Sequence, residues 1–389
     1  MNVVVYVSDA LRTDHLGCYG ARYVNTKTID ELAAGGVRYS HAISAAPWTA
    51  PSTTSIVTGM YAHHHGYLHW DATLDPSIET WFRAFSAHGY DAASFVFDTS
   101  YLFKDLAEAN VLGTSETLDG AFEWLRAKRD TPFFLYVHNW ATHMPYEIVH
   151  ADRKNWLQAK EEVIAGIQSD SASALEKMRE GYRKAVERQS EVLVASFLEE
   201  LDALGRRDDT VFALLSDHGE SWGERFQAKD DVKGVYHMHG ATLFDEVVEV
   251  PLILAAPALE PGVVDAQVRS VDLMPTLLEL AGLPAREMDG ESLLRIDGDR
   301  DAIIAGTDMG TLTKLAVRKP PWKLILDVES GEEEAYRLDV DPRELDLRTD
   351  APPELREIVF RELESAERHE LTEEEEATVA KRLSDLGYL

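Results

Sequence analysis

Five short apolar segments constrain the fold of this chain more than any other feature of its sequence. They are rich in branched and aromatic residues and contain few polar ones, which is typical of strands covered on both faces. Stretches with helical periodicity separate them, and this alternation predicts an α/β doubly wound αβα sandwich around a parallel sheet. The apolar segments are 2–8 (NVVVYVS), 93–97 (ASFVF), 132–138 (PFFLYVH), 211–216 (VFALLS) and 251–256 (PLILAA). The predicted helices are 26–36, 50–60, 77–88, 116–129, 172–204 and 271–281.

The pattern changes near residues 290–300. Four closely spaced strand-like segments follow, separated by turns, and such spacing indicates a small antiparallel sheet. Helical stretches at 353–369 and 372–384 come after them. We therefore predict a main domain over residues 1–295 and a small C-terminal α+β subdomain over 296–389. The strand-like segments are DAIIAGT (301–307), TLTKLAVRK (311–319), WKLILDV (322–328) and EEAYRLDV (333–340).

The charge of the chain argues against one class of partner. Asp and Glu total 69 against 38 Lys and Arg, which gives a formal net charge of -31. Such a charge repels polyanions, so nucleic acid is not an expected partner. The acidic residues coexist with 45% hydrophobic residues, which indicates a charged globular surface rather than a disordered tail. Because salt screens repulsion between surface charges, we hypothesise a halophilic host with a salt-rich cytosol.

Cysteine usage and hydropathy bear on the compartment. Cys18 is the single cysteine, which excludes an internal disulfide and suits a reducing environment. No run of 18 apolar residues occurs, and the opening MNVVVYVSD lacks the basic stretch and cleavage site of a signal peptide. The sequence therefore predicts a cytoplasmic protein without a transmembrane segment.

Polar residues at the ends of the predicted strands identify a candidate site. In open α/β sheets, ligands bind at the carboxyl ends of the strands. Carboxylates follow the first and fourth strands, and histidines end or follow the third and fourth. A threonine precedes a predicted helix, whose free N–H groups favour an anion. The residues selected in this way are Asp9, Thr49, His138, His143, Asp217 and His218.

The selected side chains suit a metal-dependent reaction. Two carboxylates, an imidazole and a hydroxyl can bind a hard or borderline divalent cation. A free threonine hydroxyl is a poor nucleophile, but coordination to a metal lowers its pKa and activates it. The same ion would neutralise charge on a phosphoryl or sulfuryl group during transfer. The residue types thus offer Thr49 as a metal-activated nucleophile beside Asp9, Asp217 and His218.

Each of these residues also has an ordinary structural interpretation. Thr49 could be only the N-cap of the helix that follows it. Asp9 could be a turn residue, and Asp217 could cap the next segment. His143 or His239 could be a partly buried histidine that binds nothing. Spacing alone leaves these alternatives open.

The order of the sequence motifs resembles one family. The motifs VSDALRTDHLGCYG, TIDELAAGGVRYSHAISAAPWTAPSTTSIVTGMYAHHHG, FFLYVHNWATHMPY, LLSDHGESWGE, HGATLFDEVVEVPLIL and VRSVDLMPTLLELAGLP lie between residues 7 and 284. MDGESLL and the terminal LSDLGYL follow them. Together they resemble the sulfatase family of the alkaline phosphatase superfamily over nearly the whole chain. The resemblance implies an alkaline phosphatase-like fold and places the catalytic chemistry in residues 1–295.

The resemblance assigns roles to individual residues. Asp9 matches the family's first metal-binding aspartate, Asp217 and His218 match the pair on the opposite wall, and Thr49 stands at the nucleophile position. Two histidines match residues that contact the sulfate or phosphate oxygens and the leaving group, or that bind a second ion. These two are His143 and His239, and the further candidates for substrate binding are Arg12, His65 and Asn139.

Departures from the family pattern limit the chemistry. Sulfatases carry Cys or Ser followed by x-P-S-R, and oxidise that first residue to formylglycine. Oxidation of threonine would give a ketone, and the recognition arginine is replaced by Thr53. Formylglycine chemistry is therefore not expected. Thr49 is instead similar to the nucleophile of the phosphodiesterase and phosphoglycerol-transferase branches, in which the hydroxyl attacks phosphorus directly.

The ligand pattern favours one tightly bound divalent ion. Ala10 stands where many sulfatases carry a second Asp, which argues against a sulfatase-type calcium site. Two-metal phosphodiesterases use D-x-x-x-H for a second ion, whereas this chain has Asn139 to His143. We expect Zn, Mn, Mg or Ca, with a second ion bound more weakly. Adjacent residues do not share a helix face, so His63 and His64 are interpreted as loop residues.

Three functions are compatible with these residues. The leading interpretation is hydrolysis or transfer of a phosphate ester through a phosphothreonine intermediate, with His143 and His239 stabilising charge or protonating the leaving oxygen. Sulfate-ester hydrolysis without formylglycine is the alternative, and a non-catalytic binding protein with the same fold is the third. The expected substrate is a small-molecule or lipid- or saccharide-linked anionic ester. Arg225, Lys229 and Lys233 could contact it, although solvated surface charge is the simpler interpretation.

Overall fold

An eight-stranded mixed sheet forms the centre of the protein, which we describe from a computed structural model. The described residues are 1–69, 72–97, 103, 109–115, 117–128, 131–144, 146, 172–222, 239–284, 286–308 and 311–366. The strands are β1 (Asn2–Ser8), β2 (Val37–Ile43), β3 (Asp91–Val96), β4 (Val111–Thr114), β5 (Phe133–Asn139), β6 (Thr210–Leu215), β7 (Glu249–Ala255) and β8 (Gly262–Arg269). Their order across the sheet is β4-β3-β5-β1-β6-β7-β2-β8.

The sheet departs from the predicted parallel arrangement at one strand. Strands β4, β3, β5, β1 and β6 are parallel to one another, but β7 runs antiparallel to both of its neighbours. Leu252 in the middle of β7 pairs with Leu215 at the end of β6, and Ala255 at the end of β7 pairs with Phe212. Because β7 begins at the edge where β6 ends, it must run back along β6. The sequence analysis also missed β2, β4 and β8, whose segments mix polar and apolar residues.

Helices cover both faces of the sheet, which confirms the αβα sandwich. Residues alternate along β1, so that Val4 and Tyr6 belong to the core on one face and Val3, Val5 and Val7 to the core on the other. The helices are α1 (Lys27–Ala34), α2 (Thr49–Thr58), α3 (Ala62–His65), α4 (Trp81–Ala87), α5 (Asp119–Ala127), α6 (Ala172–Arg188), α7 (Ala195–Ala203), α8 (Asp245–Val248), α9 (Leu273–Leu280) and α10 (Pro353–Ser365). A π-helical turn at Gln189–Val194 joins α6 to α7.

A smaller antiparallel sheet follows, as predicted. Its strands are β9 (Ala302–Asp308), β10 (Thr311–Lys319), β11 (Trp322–Asp327) and β12 (Glu333–Arg337), in the order β12-β11-β10-β9. Leu315 and Leu324 on one face pack with Leu355 of α10, and Ile304 on the other packs with Val247 of α8. The α/β fold with a small C-terminal antiparallel sheet is thus confirmed, whereas the boundary at residues 295 and 296 stays a prediction.

Some predicted features fall outside the described residues. They are the helix at 372–384 and the three cations Arg225, Lys229 and Lys233. Among the helices that are described, none has the length and apolar character needed to cross a membrane.

Candidate metal and catalytic site

Three neighbouring strands bring the predicted site residues to one edge of the sheet. Asp9 directly follows β1, His138 lies near the end of β5, and Asp217 follows β6 by two residues. The strand ends are in register, with Ser8 beside Asn139 and Val7 beside Leu215. Parallel pairing therefore places side chains that are more than 200 positions apart in the sequence at the same point of the fold.

Asp9, Asp217 and His218 form a buried cluster of potential metal ligands. One donor atom of each lies within 4.8 Å of the other two. The Nε2 atom of His218 is 3.5 Å from Asp9 Oδ1 and 3.5 Å from Asp217 Oδ2. These two carboxylate oxygens are buried and have no hydrogen-bond partner among the described residues. Since unpaired buried oxygens are costly, the donor set fits a divalent cation that would bind both.

The two carboxylates compete electrostatically. Burial alone would raise the pKa of Asp9, but the imidazoles of His143, His138 and His218 lower it below its usual value. For Asp217, burial and the neighbouring Asp9 charge raise the pKa above its usual value. Neighbouring carboxylates whose pKa values shift in opposite directions are a recurrent feature of functional sites. A cation between them would remove the repulsion between their negative charges.

His218 is oriented for metal binding and contacts the predicted nucleophile. Its Nδ1 atom donates a hydrogen bond to the carbonyl of Gly219, at 2.8 Å. This contact leaves the Nε2 lone pair free to bind a cation, as in metal sites whose ligand histidines are held by an outer hydrogen bond. The same Nε2 atom lies 3.2 Å from the hydroxyl oxygen of Thr49. The hydroxyl is therefore part of the same cluster.

The structure excludes the interpretation of Thr49 as an N-cap. Trp48 occupies the N-cap position with an extended backbone, and Thr49 is the first residue of α2. The Thr49 side chain is 4% exposed and reaches His218 instead of a backbone N–H of its own helix. The positive end of the helix dipole then lies next to the hydroxyl, where it favours a developing negative charge.

Hydroxyl groups hold the backbone on both sides of the cluster. Ser44 and Ser52 donate to the carbonyl of Asp217 at 2.5 and 2.6 Å, and Thr142 donates to the carbonyl of Asp9 at 2.6 Å. All three hydroxyl residues are buried. These bonds fix the positions of the two carboxylates before any ligand binds. Of the three, only Ser52 had a sequence signal, since it belongs to the motif around the nucleophile.

His138, selected from the sequence only as a polar residue at a strand end, lies in the site. It is fully buried, and its Nε2 atom lies 3.2 Å from Asp9 Oδ2 and 3.6 Å from Asp217 Oδ2. Its Nδ1 atom lies 3.0 Å from the hydroxyl of Tyr136. His138 therefore contacts both carboxylates from the side of β5. Its position at the end of a buried strand was the signal that selected it from the sequence, whereas its contacts with the carboxylates were not predicted.

Glu220 is a residue of the site that the sequence analysis missed. It is fully buried, and it accepts hydrogen bonds from His239 Nδ1 at 2.8 Å and from the Tyr146 hydroxyl at 2.9 Å. Burial raises the pKa of Glu220 to about 7. The residue ends the run Asp-His-Gly-Glu, so its signal was the continuation of polar residues after β6.

His143 and His239 lie together beside His218. Their ring centroids are 5.0 Å apart, and the His239 ring is 4.4 Å from that of His218. The Nδ1 atom of His143 donates to the carbonyl of Met144, which leaves its Nε2 atom unprotonated. Burial lowers the pKa of His143 to about 4, so this ring is neutral at neutral pH. The pair forms one side of the cluster, and its predicted contact with the substrate or a second ion stays a prediction.

Arg12 lies at the edge of the site in a network of its own. Its guanidinium donates to both carboxylate oxygens of Asp14, at 3.0 and 2.7 Å, and to the carbonyl of Glu220 at 2.7 Å. It also lies 4.3 Å from the centre of the Trp222 ring. These contacts hold the segment after β1 against the segment after β6. A direct contact of Arg12 with substrate stays a prediction.

His65 and Asn139 are bound by neighbouring protein groups. His65 Nε2 lies 3.0 Å from the hydroxyl of Ser55, and its Nδ1 atom accepts from the N–H of Tyr67 at 3.0 Å. The Asn139 side chain donates to the carbonyl of Ser115 and accepts from the N–H of residue 141. Both side chains therefore support α2 and the end of β5, and their role in substrate binding stays a prediction.

Comparison with known proteins agrees with this geometry. Residues 1–283 match the sequence model of the family described as Sulfatase. The uncharacterized sulfatase YidJ of Escherichia coli K12 is 24% identical over 372 residues, which cover 78% of this chain and 72% of YidJ.

Two solved structures show how far the fold is shared. BT4656, solved in complex with its substrate D-glucosamine-2-N,6-O-disulfate, superposes with a TM-score of 0.74 at 17% identity, covering 94% of this chain and 98% of its own. The phosphonate monoester hydrolase of Agrobacterium radiobacter superposes with a TM-score of 0.66 at 19% identity, covering 93% and 94%. At these identities the likeness establishes the fold.

Proposed function

The chain belongs to the sulfatase family, and on this premise we propose that it cleaves sulfate esters with the unmodified hydroxyl of Thr49 as the nucleophile. The observation that carries the proposal is the 3.2 Å contact between Thr49 Oγ1 and His218 Nε2, beside two buried carboxylates. Thr49 cannot give the formylglycine aldehyde, so an attack by the hydroxyl itself is the route that this site supports. The sulfate-ester reading also agrees with the sulfatases among the relatives.

The residues of the site divide the reaction between them. A divalent cation held by Asp9, Asp217 and His218 would acidify a nearby hydroxyl and offset the negative charge of the ester. Thr49 Oγ1 forms a bond to sulfur while the bond between sulfur and the leaving oxygen breaks. The Thr49 proton passes to solvent, and protonated His239 donates a proton to the leaving oxygen. His143 lies beside His239, and because its ring is neutral it adds no positive charge to the site.

The second step restores the enzyme. Water forms a bond to sulfur, the bond between sulfur and Thr49 Oγ1 breaks, and Thr49 regains a proton from solvent. His239 takes one proton from the attacking water, and hydrogen sulfate is released. Glu220 accepts the Nδ1–H of His239 at 2.8 Å, and this contact would favour the protonated ring that the proposed proton transfer requires.

We assign the substrate to sulfate esters of saccharides. BT4656 shares the fold and binds a doubly sulfated glucosamine, which is the chemistry that supports this class. The site itself supplies what such a substrate needs at the reacting group, namely a cluster that can hold a cation and two histidines on one side.

The nucleophile is tested with two substitutions. We expect Thr49→Ala to lower kcat on 4-nitrophenyl sulfate by at least about 10³-fold, because the covalent step loses its attacking atom. Thr49→Ser keeps the hydroxyl and should retain measurable turnover, and Thr131→Ala, at an exposed position, is the matched control. Chelation should abolish the activity and added Zn, Mn, Mg or Ca should restore it. Full activity of Thr49→Ala would exclude the proposed role.

Phosphate-ester cleavage is the second candidate, and the sequence pattern alone ranks it first. The observation in its favour is an intact threonine hydroxyl at the nucleophile position of a fold that a phosphonate monoester hydrolase shares. Rates on 4-nitrophenyl sulfate, 4-nitrophenyl phosphate and bis(4-nitrophenyl) phosphate, measured in parallel on the metal-reconstituted protein, decide between the two. Higher kcat/KM on either phosphorus ester would replace the sulfate proposal. No turnover and no bound metal would favour a binding protein.

A further inference from the structure

A second cluster of metal-ligating side chains lies between α3 and α10. His63 and His64 come from α3, and Glu362 comes from the last turns of α10, so the cluster joins segments 300 positions apart. One donor atom of each residue lies within 4.8 Å of the other two. The sequence pattern suggested loop residues for both histidines. The structure instead places them on a short helix that turns both rings toward one carboxylate.

The distances in this cluster fit a tetrahedral metal site. Glu362 Oε2 lies 3.3 Å from His63 Nε2 and 3.7 Å from His64 Nε2. Zinc bonds of about 2.0–2.2 Å place the donor atoms of a tetrahedron roughly 3.3–3.6 Å apart. A good N–H···O hydrogen bond is shorter, at about 2.7–3.2 Å. The separations are therefore closer to the edges of a coordination tetrahedron than to a direct imidazole–carboxylate hydrogen bond.

An outer carboxylate fixes the tautomer of His64. Its Nδ1 atom lies 2.8 Å from Asp289 Oδ2, and the same carboxylate oxygen accepts the N–H of Tyr61 at 2.7 Å. An Nδ1–H bonded to Asp289 directs the Nε2 atom at the cluster, where it also lies beside the hydroxyl of Ser365, which donates to the carbonyl of Glu362 at 2.7 Å. Carboxylate–histidine–metal arrangements of this kind are the usual outer support of zinc-binding histidines.

His63 is buried without a second hydrogen bond. Its ring is 1% exposed and stacks on Tyr61 with the centroids 5.7 Å apart. The Nδ1 atom has no hydrogen-bond partner in the described part of the chain. An imidazole–carboxylate pair with Glu362 is the ordinary interpretation, and it holds the ring through a single contact of 3.3 Å at Nε2. A metal bond at Nε2 would fix the ring with a stronger interaction.

We propose that His63, His64 and Glu362 bind a zinc ion that links α3 to α10. Two imidazoles and one carboxylate are a ligand set that zinc accepts, with water in the fourth position. The hydroxyl of Ser365, 2.9 Å from His64 Nε2, bounds that fourth position. Because α3 follows α2 after three residues, the ion fastens the helix that carries Thr49 to the C-terminal subdomain.

The zinc content of purified variants tests this site. We expect the zinc-loaded, dialysed full chain to hold about one equivalent more zinc than the double variant His64→Gln/Glu362→Gln, measured by elemental analysis. Glu357→Gln, an exposed position on the same helix, is the matched control and should lose none. Zinc should also raise the thermal midpoint of the wild type more than that of the double variant.

The design keeps this site separate from the catalytic cluster. Asp9→Asn/Asp217→Asn removes the ligands of the catalytic cluster and should leave the equivalent bound by His63, His64 and Glu362 in place. Equal zinc content in the wild type and the double variant would overturn the proposal, whatever the activity on sulfate esters. If circular dichroism shows that the double variant has lost its fold, the same comparison with the single variant Glu362→Gln decides.

Discussion

Histidine tautomers decide what the single residues of this protein can do. His218 and His143 each donate Nδ1–H to a backbone carbonyl, so both present an Nε2 lone pair to the candidate catalytic site. His65 has the opposite arrangement, since its Nδ1 atom accepts the N–H of Tyr67. The assignments follow from the hydrogen-bond partners of each ring. Identical residue types thus become ligands or structural supports according to which backbone group lies beside them.

Glu220 should act on turnover through His239. We expect Glu220→Gln to lower kcat about 10- to 100-fold while the protein remains folded, because the amide no longer fixes the protonated ring that it contacts at 2.8 Å. Steady-state kinetics on the best ester substrate would measure the effect. Glu31→Gln, at an exposed position of α1, is the control. A variant with unchanged kcat would show that Glu220 does not position His239.

His65 should make folding stability depend on pH. Burial lowers the pKa of its imidazole to about 3, whereas an unfolded histidine titrates near 6.5. Its contribution is complete above about pH 6.5 and declines as the pH falls toward 3, since only the unfolded state takes up the proton. Between these two pKa values, His65 should increase the free energy of unfolding by about 1.4 kcal/mol for each unit of rising pH.

The slope can be measured by urea unfolding at several pH values between about 4 and 6. We expect His65→Gln to show a smaller increase of the unfolding free energy with pH than the wild type. His88→Gln changes an exposed histidine and should keep the wild-type slope. Identical slopes for His65→Gln and the wild type would contradict the assignment.

At the scale of elements, α2 depends on hydroxyl groups rather than on an amphipathic pattern. All ten of its residues are buried. The hydroxyls of Thr54 and Thr58 donate hydrogen bonds to the carbonyls four residues before them in the helix, at 2.9 and 2.7 Å. Ser52 uses its hydroxyl on the carbonyl of Asp217. The helix that carries the proposed nucleophile Thr49 is therefore tied to the segment 217–219, which carries two of the proposed metal ligands.

Gly219, in the segment that follows β6, packs closely against α8, and this contact leads to a prediction. Its N–H donates to the carbonyl of Val247 at 2.6 Å, and a Cβ at this position would collide with the carbonyl oxygen of Glu246. We expect Gly219→Ala to cost about 1–3 kcal/mol of stability and to weaken metal binding, because His218 must move with the backbone. Gly262, which has open space around it, provides the control.

Denaturant unfolding and metal titration of both alanine variants would test this. Gly262→Ala should stay within about 0.5 kcal/mol of the wild type. If Gly219→Ala matched Gly262→Ala in both measurements, the contact with α8 would not constrain the site.

At the scale of the whole molecule, a buried ion cluster joins the main sheet to the C-terminal one. The side chain of Lys323 on β11 is fully buried, and its Nζ atom lies 2.8 Å from Asp245 on α8 and 2.8 Å from Glu344. Arg318 on β10 also contacts Asp245, at 2.9 Å. Charges in such a place are tolerated because each has partners of opposite sign. The cluster therefore fixes how the two sheets meet.

Lys323→Met should destabilise the protein by about 3–5 kcal/mol, because it leaves Glu344 buried without its cation. Adding Glu344→Gln to that variant should recover part of the loss by removing the unpaired charge. Lys27→Met, on the exposed face of α1, is the control. Chemical denaturation measures all three. A loss below about 1 kcal/mol for Lys323→Met would mean that the cluster does not hold the sheets together.

The net charge of -31 acts on the molecule as a whole. Repulsion among surface carboxylates weakens the compact state at low ionic strength, and salt relieves it. A halophilic host therefore stays a prediction, which unfolding in low and in molar KCl would examine. The cytoplasmic location also stays a prediction.

The sequence determined the layers of the fold, because burial on both faces leaves a local mark. Continuous apolar runs identified β1, β5 and β6, and helical periodicity identified α1, α4 and α9. Strands β2 and β8 were not predicted, because polar residues interrupt their apolar segments. The direction of β7 depends on where the chain re-enters the sheet, which no local pattern records. Thr49, Asp9, Asp217 and His218 could be predicted since each stands at the end of an element or within a family motif.

Only the tertiary structure decided which polar groups meet. His138 and Glu220 lie in quoted segments, yet their roles depend on contacts with Asp9 and His239 across the sheet edge. His63 gains a candidate ligand role through Glu362, 299 positions away. Periodicity reports whether a residue is buried, since burial requires apolar neighbours along the chain. It carries no information on the partner of a buried polar atom, because that partner is fixed by the packing of distant elements.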